Sequence, residues 1–312
     1  MQATAFLLIG FTVHAVIMIV LYSRGASRAA RAHRFARTVD LALDETNEPA
    51  VTRRLARRER AGAIGVIVAV WSVAAWLYVG TDLFERITYA PFLVVAAVFA
   101  GHATGNGVVA WRESTRPTAS AGPRIARAST PTHADYVPGY ERWSTWVLAG
   151  ASALLAAAAA LVDRTGLLDL GEVPAGLLVL CGVVPAAVVV VDELLAHRLV
   201  QQRQVATTSL ELAWDDALRA RTLRDLTTLS LFVGAAGPVV LSGVISDGLE
   251  GGWPANPAVG VTLAVLPIIL VAGAVMTVVS LVSNPQRHFR QRLWPAPVPA
   301  DQAAQAGQAA HR

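Results

Sequence analysis

Residues 51–80 read VTRRLARRERAGAIGVIVAVWSVAAWLYVG, and this stretch decides the fold. Its first ten positions hold five arginines, whereas positions 61–80 hold no charged side chain. A helix of about 20 apolar residues crosses the roughly 30 Å hydrocarbon core of a lipid bilayer. We therefore predict a transmembrane helix at about 62–80, approached by an arginine-rich segment that stays outside the hydrocarbon.

Six more apolar runs of comparable length occur in the chain. They lie at about 4–22, 90–111, 144–162, 174–192, 226–246 and 258–282. Buried helices of soluble proteins are usually shorter, and the mean hydropathy of +0.48 also favours a membrane protein. We predict an all-α, polytopic integral membrane protein in which seven transmembrane helices form a single domain over about 1–292.

The placement of arginine predicts the orientation. All 26 basic residues are arginine, and only Arg86 and Arg164 lie in the second, fourth or sixth gap between the runs. Short loops rich in arginine stay on the cytoplasmic side of a membrane. The N-terminus is therefore expected outside the cell and the C-terminus in the cytoplasm. A lysine-free chain rich in alanine, glycine, valine and proline is typical of a GC-rich genome, so we expect a bacterial plasma membrane.

The formal net charge of +4 follows from this topology and does not predict nucleic-acid binding. Arginines near the surface attract the anionic lipids of the inner leaflet, and each is worth about 1 kcal/mol. Anionic lipids are therefore the expected partners, together with a cytoplasmic or membrane protein.

Several kinds of chemistry are excluded or unsupported. A retinal protein needs a lysine for its Schiff base, and this chain has none. Cys181 is the single cysteine, so neither a disulfide nor a thiol metal site is expected. The phosphate loop GxxxxGKS/T, the zinc pair HExxH and the nucleophile elbow GxSxG are all missing from the sequence. We expect a protein without catalytic activity, cofactor or metal.

Two of the arginine-rich loops, at about 23–61 and 193–225, carry apolar residues at helical spacing. We predict that they form helical hairpins on the cytoplasmic side. Arg53, Arg54, Arg57 and Arg58 are then candidate contacts for lipid or for a protein partner. The alternative is that the two hairpins pack against each other, since amphipathic faces usually serve packing.

The loops differ in their local signals. The first span is expected to continue as a helix past the membrane, and Asn47 followed by Pro49 indicates the start of the next helix. Residues 113–142 are rich in Pro, Ser, Thr, Ala and Gly and predict a flexible loop. Residues 293–312 are of low complexity and predict a disordered tail.

Polar side chains inside a span are costly and therefore candidates for function. His14 lies in the first span, and His102 and Asn106 lie one turn apart in the third. Their depths are similar, which suggests one polar site for a proton, a substrate or a metal ion. The alternative is that each histidine makes only an interhelical hydrogen bond. Gly101 and Gly105 lie beside His102 at the spacing that lets another helix approach closely.

Prolines 185, 238 and 267 fall within the last three runs. An intramembrane proline frees a carbonyl group and bends the helix, as in transporters whose helices break around a substrate. Pro185, Pro238 and Pro267 are therefore candidate breaks or gates. Against transport, the spans hold few of the buried carboxylates that coupled carriers use, and Asp192 and Glu193 are expected to form surface ion pairs.

Two functions remain open. The first is a membrane scaffold or accessory protein that acts through its basic cytoplasmic hairpins, and the scarcity of charge within the spans favours it. The second is a small-molecule or ion carrier that uses the proline-containing spans and the His14, His102 and Asn106 site. No motif in the sequence decides between them.

The predicted topology has a direct test. A reporter enzyme that is active only outside the cytoplasm should remain inactive when inserted at Ala36 or Ala206, because both positions lie in arginine-rich loops. Insertion at Asp169, in an acidic gap, should give activity and serves as the matched control. Activity at either of the first two positions would contradict the orientation.

Overall fold

The computed structural model describes residues 2–79, 90–115, 130–166, 175–249 without 203 and 205, isolated positions between 261 and 276, and 287–295. Every regular element in these ranges is helical. In chain order they are α1 (Gln2–Ser23), α2 (Gly25–Val39), α3 (Glu48–Val79), α4 (Ala90–Thr115), α5 (His133–Tyr136), α6 (Gly139–Thr165), α7 (Ala175–Gln201), α8 (Ser209–Leu249) and α9 (His288–Leu293).

Six of these helices are long and apolar enough to cross a membrane. The candidate spans are Phe6–Ser23, Glu48–Trp76, Leu93–Glu113, Gly139–Thr165, Gly176–Gln201 and Ser209–Ser242. The prediction of an all-α, multi-pass membrane protein is confirmed in this form. The predicted seventh run at 258–282 lies largely outside the described residues; the isolated positions described within it are helical.

Helices α3 and α4 approach each other through glycine. A Cβ atom on Gly101 would lie 2.3 Å from the carbonyl oxygen of Gly65, and one on Gly65 would lie 2.0 Å from that of Gly101. One turn along, a Cβ on Gly105 would lie 2.1 Å from the carbonyl oxygen of Ala61. No side chain fits at these positions, so the predicted close approach along this glycine stripe is confirmed.

Pro238 lies within α8, which continues as α-helix through it. Proline has no amide hydrogen, so the carbonyl group of Gly234, four residues earlier, has no donor in its own helix. The hydroxyl of Ser152 on α6 donates to that carbonyl at 2.8 Å, and Ser152 is completely buried. A neighbouring helix therefore supplies the hydrogen bond that proline removes.

Helix α7 also continues through its proline, Pro185. Here the freed carbonyl belongs to Cys181, and a Cβ atom on Gly237 of α8 would lie 2.9 Å from its oxygen. The predicted breaks are therefore not found at Pro185 or Pro238. Pro267 lies outside the described residues.

The largest buried cluster among the described residues lies at the arginine-rich ends of the long helices. We call this region the helical cap: α2, residues 40–60, α5, residues 192–226 without 203 and 205, and α9. Its apolar core joins Phe35 and Leu55 from the first predicted hairpin to Trp214 and Leu218 from the second. The two hairpins therefore pack against each other, as in the alternative interpretation, rather than standing apart.

Three local expectations differ from the structure. Helix α1 does not continue into α2, because Arg24 has an extended backbone (φ −83°, ψ 131°) and the next residue is Gly25, a poor helix former.

The predicted flexible loop at 113–142 is folded in part. Thr132 and Asp135 cap α5, and Tyr136 and Val137 are buried in the cap, whereas 116–129 lie outside the described residues.

The segment before and at the start of the predicted disordered tail is also folded. Phe289 is completely buried in the cap. The indole of Trp294 donates to the Asp216 carboxylate at 2.8 Å, and the same carboxylate accepts from Tyr136 Oη at 2.8 Å and Gln204 Nε2 at 2.7 Å. Residues 296–312 lie outside the described part of the chain.

The glycine joint predicts a large difference between two alanine substitutions. Gly101→Ala should lower the stability of the protein by about 1–3 kcal/mol or more, because the new methyl group overlaps the α3 backbone. Gly10→Ala, on α1, has nothing within 4 Å of the added Cβ and should not lower stability, since alanine is also the better helix former. Thermal unfolding of both variants in the same detergent measures this, and equal midpoints would contradict the packing described.

Candidate functional site

A cavity of about 500 Å³ lies where α2, α3, α4 and α8 meet, within the helical cap and the adjoining part of α4. We call it the arginine-lined cavity. Its described lining residues are Arg31, Arg34, Phe35, Thr38, Val39, Glu59, Phe99, His102, Ala103, Ala217, Ala220, Arg221, Arg224, Asp225 and Thr228. Because Phe99 and His102 belong to the apolar span of α4, the cavity extends from the cap into the spanning part of the bundle.

Asn106 connects His102 to Asp225 at one side of the cavity. Its Nδ2 lies 3.1 Å from His102 Nε2 and donates to Asp225 Oδ2 at 2.9 Å. Donation to Nε2 places the imidazole proton on Nδ1, since a neutral ring has one donor and one acceptor. Gly62 of α3 makes room for this arrangement, because a Cβ there would lie 2.6 Å from His102 Nδ1.

Arginines from two helices line the remaining polar surface. Arg31 and Arg34 lie one turn apart on α2, and Arg221 and Arg224 lie one turn apart on α8. Two carboxylates, Glu59 and Asp225, line the cavity with them, so the described lining carries an excess of two positive charges. An anion is therefore the kind of ligand that this cavity favours.

The arginines differ in how they are held. Arg221 forms an ion pair with Glu59, which also accepts a hydrogen bond from Tyr22 at 3.0 Å. The Arg31 guanidinium lies 3.9 Å from the centre of the Tyr22 ring, a cation–π contact, and its Nη1 is buried without a hydrogen-bond acceptor among the described residues. An oxyanion entering the cavity would supply the acceptor that this nitrogen lacks.

The rest of the wall is apolar. Phe35 lies under the Arg221 guanidinium, 5.4 Å from the ring centre, and Phe99 stacks on Phe232 with ring centres 3.5 Å apart. Val39 and Ala103 also face the cavity. A ligand with both an anionic group and an apolar part would match such a surface.

The structure places the predicted intramembrane residues at two separate positions. His102 and Asn106 are brought together and joined by a hydrogen bond. His14 is exposed on the surface of α1 and is not among the residues that line the cavity. The described geometry therefore contains a His102–Asn106–Asp225 group in place of the predicted His14, His102 and Asn106 site.

The sequence contained a signal for the missed residues. Positions 217, 220, 221, 224, 225 and 228 follow the spacing of one helix face, and all six line the cavity. Which face would meet α2 and α4 depends on tertiary packing, which the spacing does not specify.

The four arginines proposed as lipid or partner contacts are mostly occupied within the protein. Arg58 is almost completely buried, and its guanidinium donates to Glu113 Oε2 at 3.1 and 3.2 Å. It also donates to the Leu218 carbonyl and the Thr222 hydroxyl. Arg57 contacts Glu113 at 3.5 Å. This group joins α3, α4 and α8.

Arg54 and Arg53 complete the set. Arg54 donates to Asp215 Oδ1 at 2.6 Å and lies 3.7 Å from Glu113. Arg53 is exposed. Of the four, Arg53 is therefore the exposed side chain that has no ion pair among the described residues.

Asp192 and Glu193 have different environments although they are adjacent. Glu193 binds Arg142 at 2.6 and 2.8 Å, in agreement with the expected ion pair. Asp192 is buried and accepts a hydrogen bond from Ser230 of α8, so it is not the surface ion pair expected from the sequence. Burial and the nearby Arg142 charge lower the pKa of His133, which therefore faces Glu193 as a neutral imidazole at neutral pH.

The buried Arg58 group predicts a strong effect of removing its counter-ion. Glu113→Ala leaves a buried guanidinium without its carboxylate and should destabilise the protein by about 3–5 kcal/mol. Arg53→Ala, at an exposed position five residues before Arg58 on α3, should change stability by no more than about 0.5 kcal/mol. Thermal unfolding of both purified variants tests this, and a neutral Glu113→Ala substitution would contradict the role assigned to the ion pair.

No group of three or more His, Cys, Asp or Glu side chains that could hold a metal ion occurs within the described residues. The chain matches no known family model, no curated protein and no solved structure. Its function is therefore argued from the arginine-lined cavity itself.

Proposed function

We propose that this protein is a membrane carrier that binds a small organic anion in the arginine-lined cavity. The observation that supports this is the extent of the cavity: it joins the arginines of the cap to His102, which lies within the candidate span Leu93–Glu113. A scaffold needs no internal cavity, whereas a carrier needs a site of this kind between its helices.

The proposal includes the orientation inferred from the sequence. In a bacterial plasma membrane with seven spans, an external N-terminus and a cytoplasmic C-terminus, the cap faces the cytoplasm. The cavity is then the inward-facing side of the site, and the anion enters from the cytoplasm or is released to it. The alternating distribution of arginine supports this assignment.

The residues have separate roles in this proposal. The four arginines attract and orient the anionic group, because guanidinium groups donate in a fork that matches oxyanions. His102, which Asn106 holds in place, provides a polar contact for the ligand at the far side of the cavity. Bending at Pro185 or Pro238 breaks no hydrogen bond from the proline nitrogen, so these positions are suited to movement between two states.

A second candidate, the scaffold or accessory protein, is favoured by the cap. Its core is the largest buried cluster described, which is unusual if the cap only connects spans. In that case a protein partner binds the exposed surface around Arg53. Arg53→Glu should then abolish co-purification of the partner without disturbing the fold, and a partner retained by this variant would contradict the hypothesis.

The carrier proposal is tested by uptake into proteoliposomes. We expect saturable uptake of at least one of three radiolabelled anions, benzoate, succinate or glycerol phosphate, above that of protein-free vesicles. His102→Ala should reduce the rate about tenfold or more, because a buried polar contact with the ligand is lost. His14→Ala is the matched control, since that histidine is also in a span but lies away from the cavity.

Two outcomes would reject the carrier function. One is the lack of protein-dependent uptake of all three anions by the wild-type protein. The other is equal uptake by the wild-type and His102→Ala proteins. Elution of both variants as a single species in gel filtration is required, so that loss of folding is not mistaken for loss of transport.

A further inference from the structure

We infer that the ligand of the arginine-lined cavity is a phosphate monoester, with its phosphoryl group between the arginines of α2 and α8 and its apolar substituent against Phe35 and Phe99. This inference rests on the proposed binding of an anion in the cavity and names the chemical class of that anion. Three properties of the described lining support it: charge, donor arrangement and shape.

The charge of the cavity fits a dianion. Four arginines face two carboxylates, and both carboxylates already have partners, Glu59 in Arg221 and Asp225 in Asn106. Arg224 lies 3.8 Å from Glu141, a carboxylate outside the lining, so Arg31 and Arg34 of α2 are the lining arginines without an ion pair among the described residues. A phosphate monoester carries about −1.5 to −2 at pH 7, because its second pKa is about 6. A monocarboxylate would neutralise only one of these two arginines.

The donors also exceed what one carboxylate can accept. Arg31 and Arg34 present guanidinium groups from α2, and Arg221 and Arg224, which pair with Glu59 and Glu141, present theirs from α8. Arg31 Nη1 is buried without an acceptor among the described residues. A phosphoryl group has three terminal oxygens, each able to accept from a guanidinium, and it can therefore be bound from both helices at once.

The apolar part of the lining excludes inorganic phosphate as the whole ligand. The aromatic rings of Phe35 and Phe99, together with Val39 and Ala103, form a surface that a bare phosphate ion would leave uncovered. The volume of about 500 Å³ is also within the range of sites for small organic molecules. An ester with a compact apolar or aromatic substituent satisfies both parts of the wall.

Two sources could supply this chemistry. A phospholipid with a phosphate monoester headgroup could enter from the leaflet on the arginine-rich side, where the cavity lies. A soluble phosphate ester could enter from the cytoplasm. The recognised group is the same in both cases, and the experiment below distinguishes them.

The test uses the purified full chain in nanodiscs of phosphatidylcholine and measures equilibrium binding of radiolabelled phenyl phosphate and benzoate. These probes share a ring and differ in the anionic group. We expect phenyl phosphate to bind about tenfold more tightly or better, since it satisfies more of the arginine donors. Equal or tighter binding of benzoate, or no binding of phenyl phosphate, would overturn the inference.

Variants locate the binding to the cavity. Arg34→Gln should weaken phenyl phosphate binding about tenfold, because it removes one lining cation. Arg221→Gln should also weaken binding, although it additionally releases Glu59. Arg53→Gln is the matched control, because Arg53 is exposed and does not line the cavity. Unchanged binding by Arg34→Gln and Arg221→Gln would place the phosphate elsewhere and reject the site.

The lipid arm replaces part of the phosphatidylcholine with phosphatidic acid. Loss of phenyl phosphate binding in these nanodiscs means that the lipid headgroup occupies the cavity, and it supports the lipid as the source. The Arg34→Gln protein in the same nanodiscs is the reference for weakened binding. Undiminished binding supports a soluble ester.

If phenyl phosphate binds in the cavity but no anion is taken up by proteoliposomes, this inference stands and the carrier function fails. If benzoate or succinate is transported and phenyl phosphate does not bind, the carrier function stands and this inference fails.

Discussion

Hydrocarbon offers no partner to a guanidinium group, and this constraint shapes the whole structure. The arginines collect beside the spans, and so many positive charges close together require counter-ions. The structure supplies them from neighbouring helices: Glu113 for Arg58, Asp215 for Arg54, Glu59 for Arg221 and Glu193 for Arg142. Each pair joins two helices, so these charges hold the arginine-rich ends of the helices together.

Within the bilayer a different rule operates, because every backbone carbonyl must find a donor. Pro238 removes one donor from α8, and the buried hydroxyl of Ser152 replaces it. The glycines of α3 and α4 solve a related problem by bringing the two backbones into contact without side chains between them. Polar and small residues in these spans therefore serve packing first, and only His102 and Asn106 among the predicted candidates face the cavity group.

The parts of the fold that depend on local sequence could be predicted, and the parts that depend on packing could not. Six apolar runs were recognisable from length and hydropathy alone, and the close approach at Gly101 and Gly105 from spacing. The pairing of Asn106 with Asp225 joins residues 119 positions apart, which no local pattern indicates. His14 was grouped with His102 by depth, but depth does not determine which side of α1 a residue occupies.

The folded segment 287–294 has a consequence for biogenesis. Phe289 lies in the core of the cap and Trp294 packs against it, yet a ribosome makes both residues after every preceding span has been synthesised. Until they emerge, α2 and α8 lack two hydrogen bonds: the one from Arg287 to the Thr38 carbonyl and the one from the Trp294 indole to the Asp216 carboxylate. Insertion of the spans and completion of the cap are thus separate events in time, and a prematurely terminated chain would expose an apolar socket to chaperones and proteases at the membrane surface.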